Sequence, residues 1–134
     1  MALQIDVIPG RHELVRLRLE SLMHAIDNDK APISAALARF IEAIEAHAAL
    51  EFHLEYRSLA SHTSPGVRAS AAHLLNEQPD FSARFERFAR RWLHHDEAAL
   101  RTPAFRDDLD HIVAAVLTRI KLEERIVAAL GSAA

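Results

Sequence analysis

His47 and Glu51 stand four positions apart and are the two residues of this sequence best suited to chemistry. Side chains four residues apart lie on one face of an α-helix, so this imidazole and this carboxylate can meet at one metal ion or form one hydrogen-bonded pair. The alternatives are a solvent-exposed pair and a core histidine with a hydrogen bond of its own. The apolar residues around the pair, in the stretch 43–59, favour a buried position.

The pair belongs to one of four segments in which apolar residues recur at alternating steps of four and three. This spacing is typical of a helix that packs in a bundle. Pro9, Pro32 and Pro103 each fit the first turn of a helix, where a missing N–H has no helical partner to lose. The predicted helices cover residues 8–27, 32–59, 79–100 and 103–131.

The segment 60–80 is the least regular part of the pattern. Ser64, Pro65 and Gly66 interrupt it, and residues 67–76 could form a short helix. We expect Pro79 to restart the chain as the third long helix.

The composition favours an all-α fold. Half of the 134 residues are hydrophobic, only three are glycines, and alanine, leucine, arginine and glutamate are abundant. Four amphipathic helices joined by short turns predict an antiparallel up-down four-helix bundle. The length fits a single domain, which we place at residues 8–131 after a short lead-in at residues 1–7.

The charge pattern excludes two classes of partner. Sixteen basic and nineteen acidic residues are spread along the chain and give a net charge of −3. This distribution provides neither a basic stripe for nucleic acid nor a polybasic patch for a membrane surface. The sequence contains no cysteine, which excludes disulfides and thiolate chemistry and favours a cytoplasmic location. The N-terminus resembles no secretory leader, and no apolar run is long enough to span a bilayer.

The predicted bundle brings several polar residues to one of its ends. When neighbouring helices run antiparallel, the start of the first helix lies beside the end of the second and the end of the fourth. The polar members of these apolar stripes are His12, His47, Glu51, Arg119 and Glu123. Buried carboxylates are costly unless they are paired or bind a metal ion, so this layer must contain a compensating cation.

The order and spacing of these residues resemble the hemerythrin-like, or HHE cation-binding, domain, a four-helix bundle that holds two irons between its helices. His12, within the letters RHELV, matches the histidine of the family's first helix. The letters HAALE, from His47 to Glu51, match the His-x-x-x-Glu motif of the second helix. The resemblance extends from about residue 8 to residue 130 and implies the same bundle fold.

The sequence departs from the family's pattern in the third and fourth helices. Phe81 and Phe85 stand where the third helix of the family has two histidines. Arg119 stands where the fourth helix has its histidine, although Glu123 keeps the place of the carboxylate that follows. The neighbouring Glu124 leaves open which of the two glutamates faces the core.

These departures imply a reduced ligand set. The residues left to bind metal are His12, His47, Glu51 and Glu123, which suit one iron or zinc ion rather than a di-iron centre. A second hypothesis is that no metal binds, because the guanidinium of Arg119 pairs with Glu51 and Glu123 in a buried network.

Three functions follow from these hypotheses. The first is a non-enzymatic bundle with a structural, regulatory or partner-binding role. The second is a metal-binding protein that binds or senses oxygen or iron, as the resemblance implies. The third is an enzyme that uses Glu51 and Glu123 with His47 as acid and base. We expect the protein not to be an enzyme.

Four apolar residues off the main stripes favour a homodimer or another protein partner, without requiring one. They are Leu14, Leu17, Phe52 and Leu74.

Overall fold

The computed structural model describes residues 8–48 and 52–132 of the chain, and the regular elements in this part are all helices. The predicted all-α fold is therefore confirmed. Within the described ranges, no helix has both the length and the apolar character needed to cross a membrane. The elements are α1 (Ile8–Asp27), α2 (Ile33–Ala48), α3 (Phe52–Leu59), α4 (Pro65–Trp92), a 3₁₀ turn (Ala99–Arg101) and α5 (Pro103–Ser132).

The apolar stripes of α1, α2, α4 and α5 face one another and form the main core. Phe40 and Leu109 are completely buried, and Phe105 is 1% exposed. The aromatic side chains of α4 are buried in this core, at Phe81, Phe85, Phe88 and Trp92.

Contacts between helix ends give the direction of the chain. The indole N–H of Trp92, at the end of α4, donates to Asp108 near the start of α5 over 2.9 Å. Arg16 of α1 donates to Glu124, near the end of α5, over 2.8 Å. Both helix pairs therefore run antiparallel, as expected for a bundle.

The start of the third long helix was predicted wrongly, because α4 begins at Pro65 and runs through Pro79 without a break. A proline inside a helix costs about 3 kcal/mol, since it removes one hydrogen bond and crowds the preceding turn. Packing outweighs that cost here, because α4 buries Val67 and Leu74 before Pro79 and aromatic residues after it.

A second, smaller core lies near the end of the bundle that carries the polar layer. Tyr56 and Leu59 of α3 pack there against Val67 and Leu74 of α4 and against Ile126 of α5. The prediction that Leu74 lies off the core was wrong, because this cluster buries it completely.

The exposed part of the predicted apolar surface lies on α1. Leu14 is 41% exposed and Leu17 is 49% exposed. The side chain of Phe52, the remaining member of the predicted surface, lies outside the described residues.

The end of α4 also differs from the prediction, because the helix stops at Trp92 rather than near Leu100. The chain turns here so that the carboxylate of Glu97 reaches the N-terminus of α2. Its two oxygens accept hydrogen bonds from the backbone N–H groups of Ile33 and Ser34, over 2.8 and 2.9 Å. The Ser34 hydroxyl donates a third, over 2.7 Å. A carboxylate at a helix N-terminus satisfies free N–H groups and complements the helix dipole.

Arg101, in the same connection between α4 and α5, binds the C-terminal end of a helix. Its guanidinium donates to the carbonyl oxygens of Ile26, Asn28 and Ala31, at the end of α1 and in the turn that follows. One connection thus supplies an anion to the start of α2 and a cation to the end of α1.

Replacing Glu97 by alanine is expected to lower the free energy of unfolding by about 1 kcal/mol at pH 7, the usual cost of losing a helix N-cap. The hydrogen bonds from Ser34 and Ile33 hold the pKa of Glu97 below its usual value. A carboxyl with a depressed folded-state pKa stabilises the protein above its unfolded-state pKa, and that contribution is lost as the pH falls through the folded value.

Urea denaturation between pH 7 and pH 3 measures this effect. The difference between wild type and Glu97→Ala should shrink toward zero at the acid end. Glu20→Ala, on the exposed surface of α1, is the control and should show no such trend. A difference for Glu97→Ala that stays constant with pH would contradict the assignment.

Candidate metal centre

Three side chains from three helices meet at the end of the bundle that the sequence indicated. His12 lies on the buried stripe of α1 and is completely buried. His47 lies in the last turn of α2 with 14% of its side chain exposed, and Glu123 of α5 is 3% exposed. Each residue continues the apolar stripe of its helix, which is why the three side chains converge.

The carboxylate of Glu123 is the centre of this group. Its Oε2 lies 2.6 Å from Nε2 of His12 and 2.6 Å from Nε2 of His47. The two imidazole rings meet edge to face, with centroids 5.0 Å apart. The phenol of Tyr56 donates a hydrogen bond to the other oxygen, Oε1. Side chains from α1, α2 and the short α3 thus bind one carboxylate of α5.

These contacts keep Glu123 ionised. Burial alone raises the pKa of this carboxyl. Hydrogen bonds from His12 and His47 outweigh that effect, with a further contribution from the charge of His47 and from the phenol, and lower the pKa of Glu123 to about 2. A buried group that remains an anion near neutral pH attracts a cation.

The pKa of Tyr56 is shifted in the opposite direction, upward. Burial raises its pKa, and the negative charge of Glu123 and the hydrogen bond to it raise the pKa further. The nearby cation of Arg119 acts in the other direction but is weaker. The phenol therefore stays protonated and remains a hydrogen-bond donor to the carboxylate.

The group fits one metal ion. One ligand atom each from His12, His47 and Glu123 lies within 4.8 Å of the other two. Two imidazole nitrogens and a carboxylate oxygen form a ligand set that zinc and ferrous iron both accept.

A second layer of contacts lies behind His12. Its Nδ1 is buried without a hydrogen-bond partner among the described residues, and Oε2 of Glu124 lies 3.9 Å from it. Arg16 binds the same glutamate. Histidine ligands of metals usually have a carboxylate at this position behind the ring.

The structure therefore brings together three of the four predicted ligands. Glu51, the fourth, lies outside the described residues, so its role stays a prediction. Of the two neighbouring glutamates, Glu123 faces the core and Glu124 is 43% exposed. The contact of Tyr56 with the site was not predicted. The signal in the sequence was that Tyr56 and Leu59 resemble the Tyr-Pro-x-Leu ending that often follows the His-x-x-x-Glu motif of the HHE domain, and this resemblance names no partner for the phenol.

Arg119 does not pair with Glu123, although the network hypothesis predicted this contact. In the described part of the chain, its guanidinium donates to the carbonyl oxygen of Leu74, over 3.4 Å, and to the side chain of Gln78. The basic side chains that contact Glu123 in the same part are the two histidines. A pair between Arg119 and Glu51 remains a prediction.

Phe81 and Phe85 occupy the neighbouring part of the core. Both are 8% exposed, and their rings stack with centroids 6.0 Å apart. The guanidinium of Arg119 lies over the Phe81 ring at 4.9 Å. Aromatic rings and a cation are unsuitable ligands, so these residues do not fit a second metal ion.

Comparison with known proteins identifies the family. Residues 3–130 match the model of the hemerythrin HHE cation-binding domain, which is nearly the whole chain. The chain belongs to the hemerythrin HHE family. No curated protein matched the chain in the corresponding search. No solved structure matched it either.

Membership in the HHE family confirms the resemblance found in the sequence. Within the described residues, His12, His47 and Glu123 form a group that could hold one metal ion.

Proposed function

We propose that this protein is a mononuclear variant of the HHE domain that binds one zinc or iron ion through His12, His47 and Glu123. The observation that carries the proposal is the convergence of three ligand atoms from three helices within 4.8 Å of one another. Two of the side chains are buried, and that of His47 is 14% exposed. A bound ion would supply a Lewis acid and, with iron, a redox centre. The protein's own part is to hold the ligands and exclude bulk water.

The proposal includes the arrangement of the helices. We take α2 and α3 as the two parts of the second member of an up-down four-helix bundle. The antiparallel contacts of α1 and α4 with α5 support this order, as does the contact between the two histidines. We place the protein in the cytoplasm, a location that its lack of cysteine favours.

We also propose that the protein is not an enzyme. The cavity beside the ligands has a volume of only about 40 Å³, which leaves no room for an organic substrate of ordinary size. A regulatory role suits such a site better. If the ion is iron, the family points to the binding or sensing of iron or oxygen.

Elemental analysis of the untagged protein, before and after dialysis against zinc or anaerobic ferrous iron, tests the proposal. We expect about one ion per chain. His47→Ala should lose the ion, because it removes one of three ligands. His94→Ala should retain it, since His94 is exposed at the far end of the molecule from the cluster. A stoichiometry of two ions, or none in wild type, would contradict a mononuclear site.

A metal-free structural role is the second candidate. The observation in its favour is that Glu123 already accepts hydrogen bonds from His12, His47 and Tyr56. A satisfied polar cluster can hold helices in register without an ion. A wild-type protein that refuses both metals while remaining stably folded would favour this candidate.

A further inference from the structure

A small cavity lies beside Glu123, between the helices that carry the ligands. Its volume is about 40 Å³. A single water needs roughly 10–15 Å³ on this measure, so the cavity accommodates about three waters or a ligand of about three heavy atoms. Most of its wall is apolar, formed by Val15, Ile44, Phe81, Val116 and Ile120.

The guanidinium of Arg119 supplies a cation to this cavity. Arginine has five N–H donors in a planar fork. The described partners of Arg119 are the Leu74 carbonyl and the Gln78 side chain, together with the Tyr56 phenol on which its charge acts. All three partners are neutral, and no carboxylate forms an ion pair with Arg119 within residues 8–48 and 52–132. A half-buried cation that pairs with no carboxylate of the described residues favours a negatively charged ligand.

An open path leads to Arg119 from outside. A groove of about 320 Å³ runs between α4 and α5, and Arg119 and Phe81 line both the groove and the cavity. A ligand can therefore reach the guanidinium from the surface. The charged and titratable residues of the groove are of both signs, namely His73, Glu77, Asp80, Arg84 and His111.

We propose that this cavity binds a small planar monovalent carboxylate or oxyanion, of the size of formate, through the guanidinium of Arg119. The planar fork of arginine matches two oxygens of such an anion. Repulsion from Glu123 is limited, because His12, His47 and Tyr56 hold that carboxylate's oxygens.

The anion site adjoins the metal site, because His47 and Glu123 line the cavity as well. Its proposed binding group is Arg119, however, which is not one of the proposed metal ligands. The two sites are close enough to be coupled. A divalent cation at His12, His47 and Glu123 makes the neighbourhood more positive, so it should strengthen anion binding. Binding linkage requires the anion to strengthen metal binding by the same factor.

Isothermal titration calorimetry of the full chain with sodium formate tests the proposal, with sodium chloride at matched ionic strength as the blank. We expect Arg119→Gln to weaken formate binding roughly tenfold or more, because hydrogen bonds to a charged group are lost. Arg119→Lys keeps the charge without the fork and should weaken binding less. Arg87→Gln, which removes an exposed arginine of α4, should bind as wild type does. A circular dichroism melt verifies that each variant is folded.

Ligand size gives a test that needs no variant. Propionate carries the same carboxylate on a longer chain, so the cavity should bind it more weakly than formate. Propionate binding as tight as formate binding would overturn the proposal, as would no binding of formate or equal binding by wild type and Arg119→Gln.

The stoichiometry of zinc and of ferrous iron, measured on the same samples, distinguishes the two proposals. Formate binding by a protein that refuses both metals would overturn the metal proposal and support this one. Zinc binding without formate binding would do the reverse.

Discussion

Replacing Glu123 by alanine is expected to lower the free energy of unfolding by about 3–5 kcal/mol, the usual cost of removing one partner from a buried charged pair. The reason is that His12 and His47 both direct a ring nitrogen at one oxygen of this carboxylate, over 2.6 Å. Without it, two imidazoles remain buried around a cavity. Urea denaturation of the metal-free protein at pH 7 measures the change. The same variant should bind no zinc.

Glu124→Ala is the matched control, because it removes the same type of side chain from the next position. Glu124 is 43% exposed and its partner Arg16 is 40% exposed. An exposed ion pair contributes only about 0–1 kcal/mol, so this variant should be close to wild type. Equal losses of stability in the two variants would mean that Glu123 is not the centre of the site.

Replacing Phe105 by alanine should cost a similar amount, about 3–5 kcal/mol, through a different mechanism. Phe105 is 1% exposed, and its ring centroid lies 5.2 Å from that of Trp92 and 6.2 Å from that of Phe88. Its removal leaves a cavity among aromatic rings. Because this cluster lies at the other end of the bundle from His12, His47 and Glu123, the variant should still bind about one zinc ion at temperatures where it is folded.

Leu17→Ala tests whether the loss of stability expected for Phe105→Ala comes from the burial of the side chain. Leu17 is 49% exposed, so its truncation should change the free energy of unfolding by less than about 0.5 kcal/mol. Loss of zinc binding in folded Phe105→Ala would contradict the separation of core stability from metal binding.

The sequence was sufficient to predict the helical class and most of the site, because both depend on helical spacing. His12, His47 and Glu123 each occupy a position that an apolar residue would otherwise fill. Three such positions at one end of an antiparallel bundle can meet only if they are buried together. Which face of a helix a residue lies on depends only on its spacing along that helix. The buried positions of these three residues could therefore be predicted without knowing which residues they contact.

The features that were not predicted depend on distant parts of the chain. Pro79 was expected to start a helix, but packing on both sides of it keeps α4 continuous. Arg119 was expected to bind carboxylates of the site, whereas it donates hydrogen bonds to Leu74 and Gln78 of α4. Glu97 binds residues more than sixty positions away. Local spacing carries no information about such contacts.

The connection between α4 and α5 has a consequence for how an ion enters. Glu97 and Arg101 form six hydrogen bonds with the end of α1, the turn that follows it and the start of α2. These bonds lie at the end of the bundle opposite to His12 and His47. These hydrogen bonds hold the helices together at that end. At the opposite end, His12 is completely buried and Glu123 is 3% exposed. The side of His47, whose side chain is 14% exposed and lines the small cavity together with Glu123, is then the side from which the proposed ion would enter. We expect metal exchange to be limited by local movements of the ligand side chains at this end, while the opposite end stays closed.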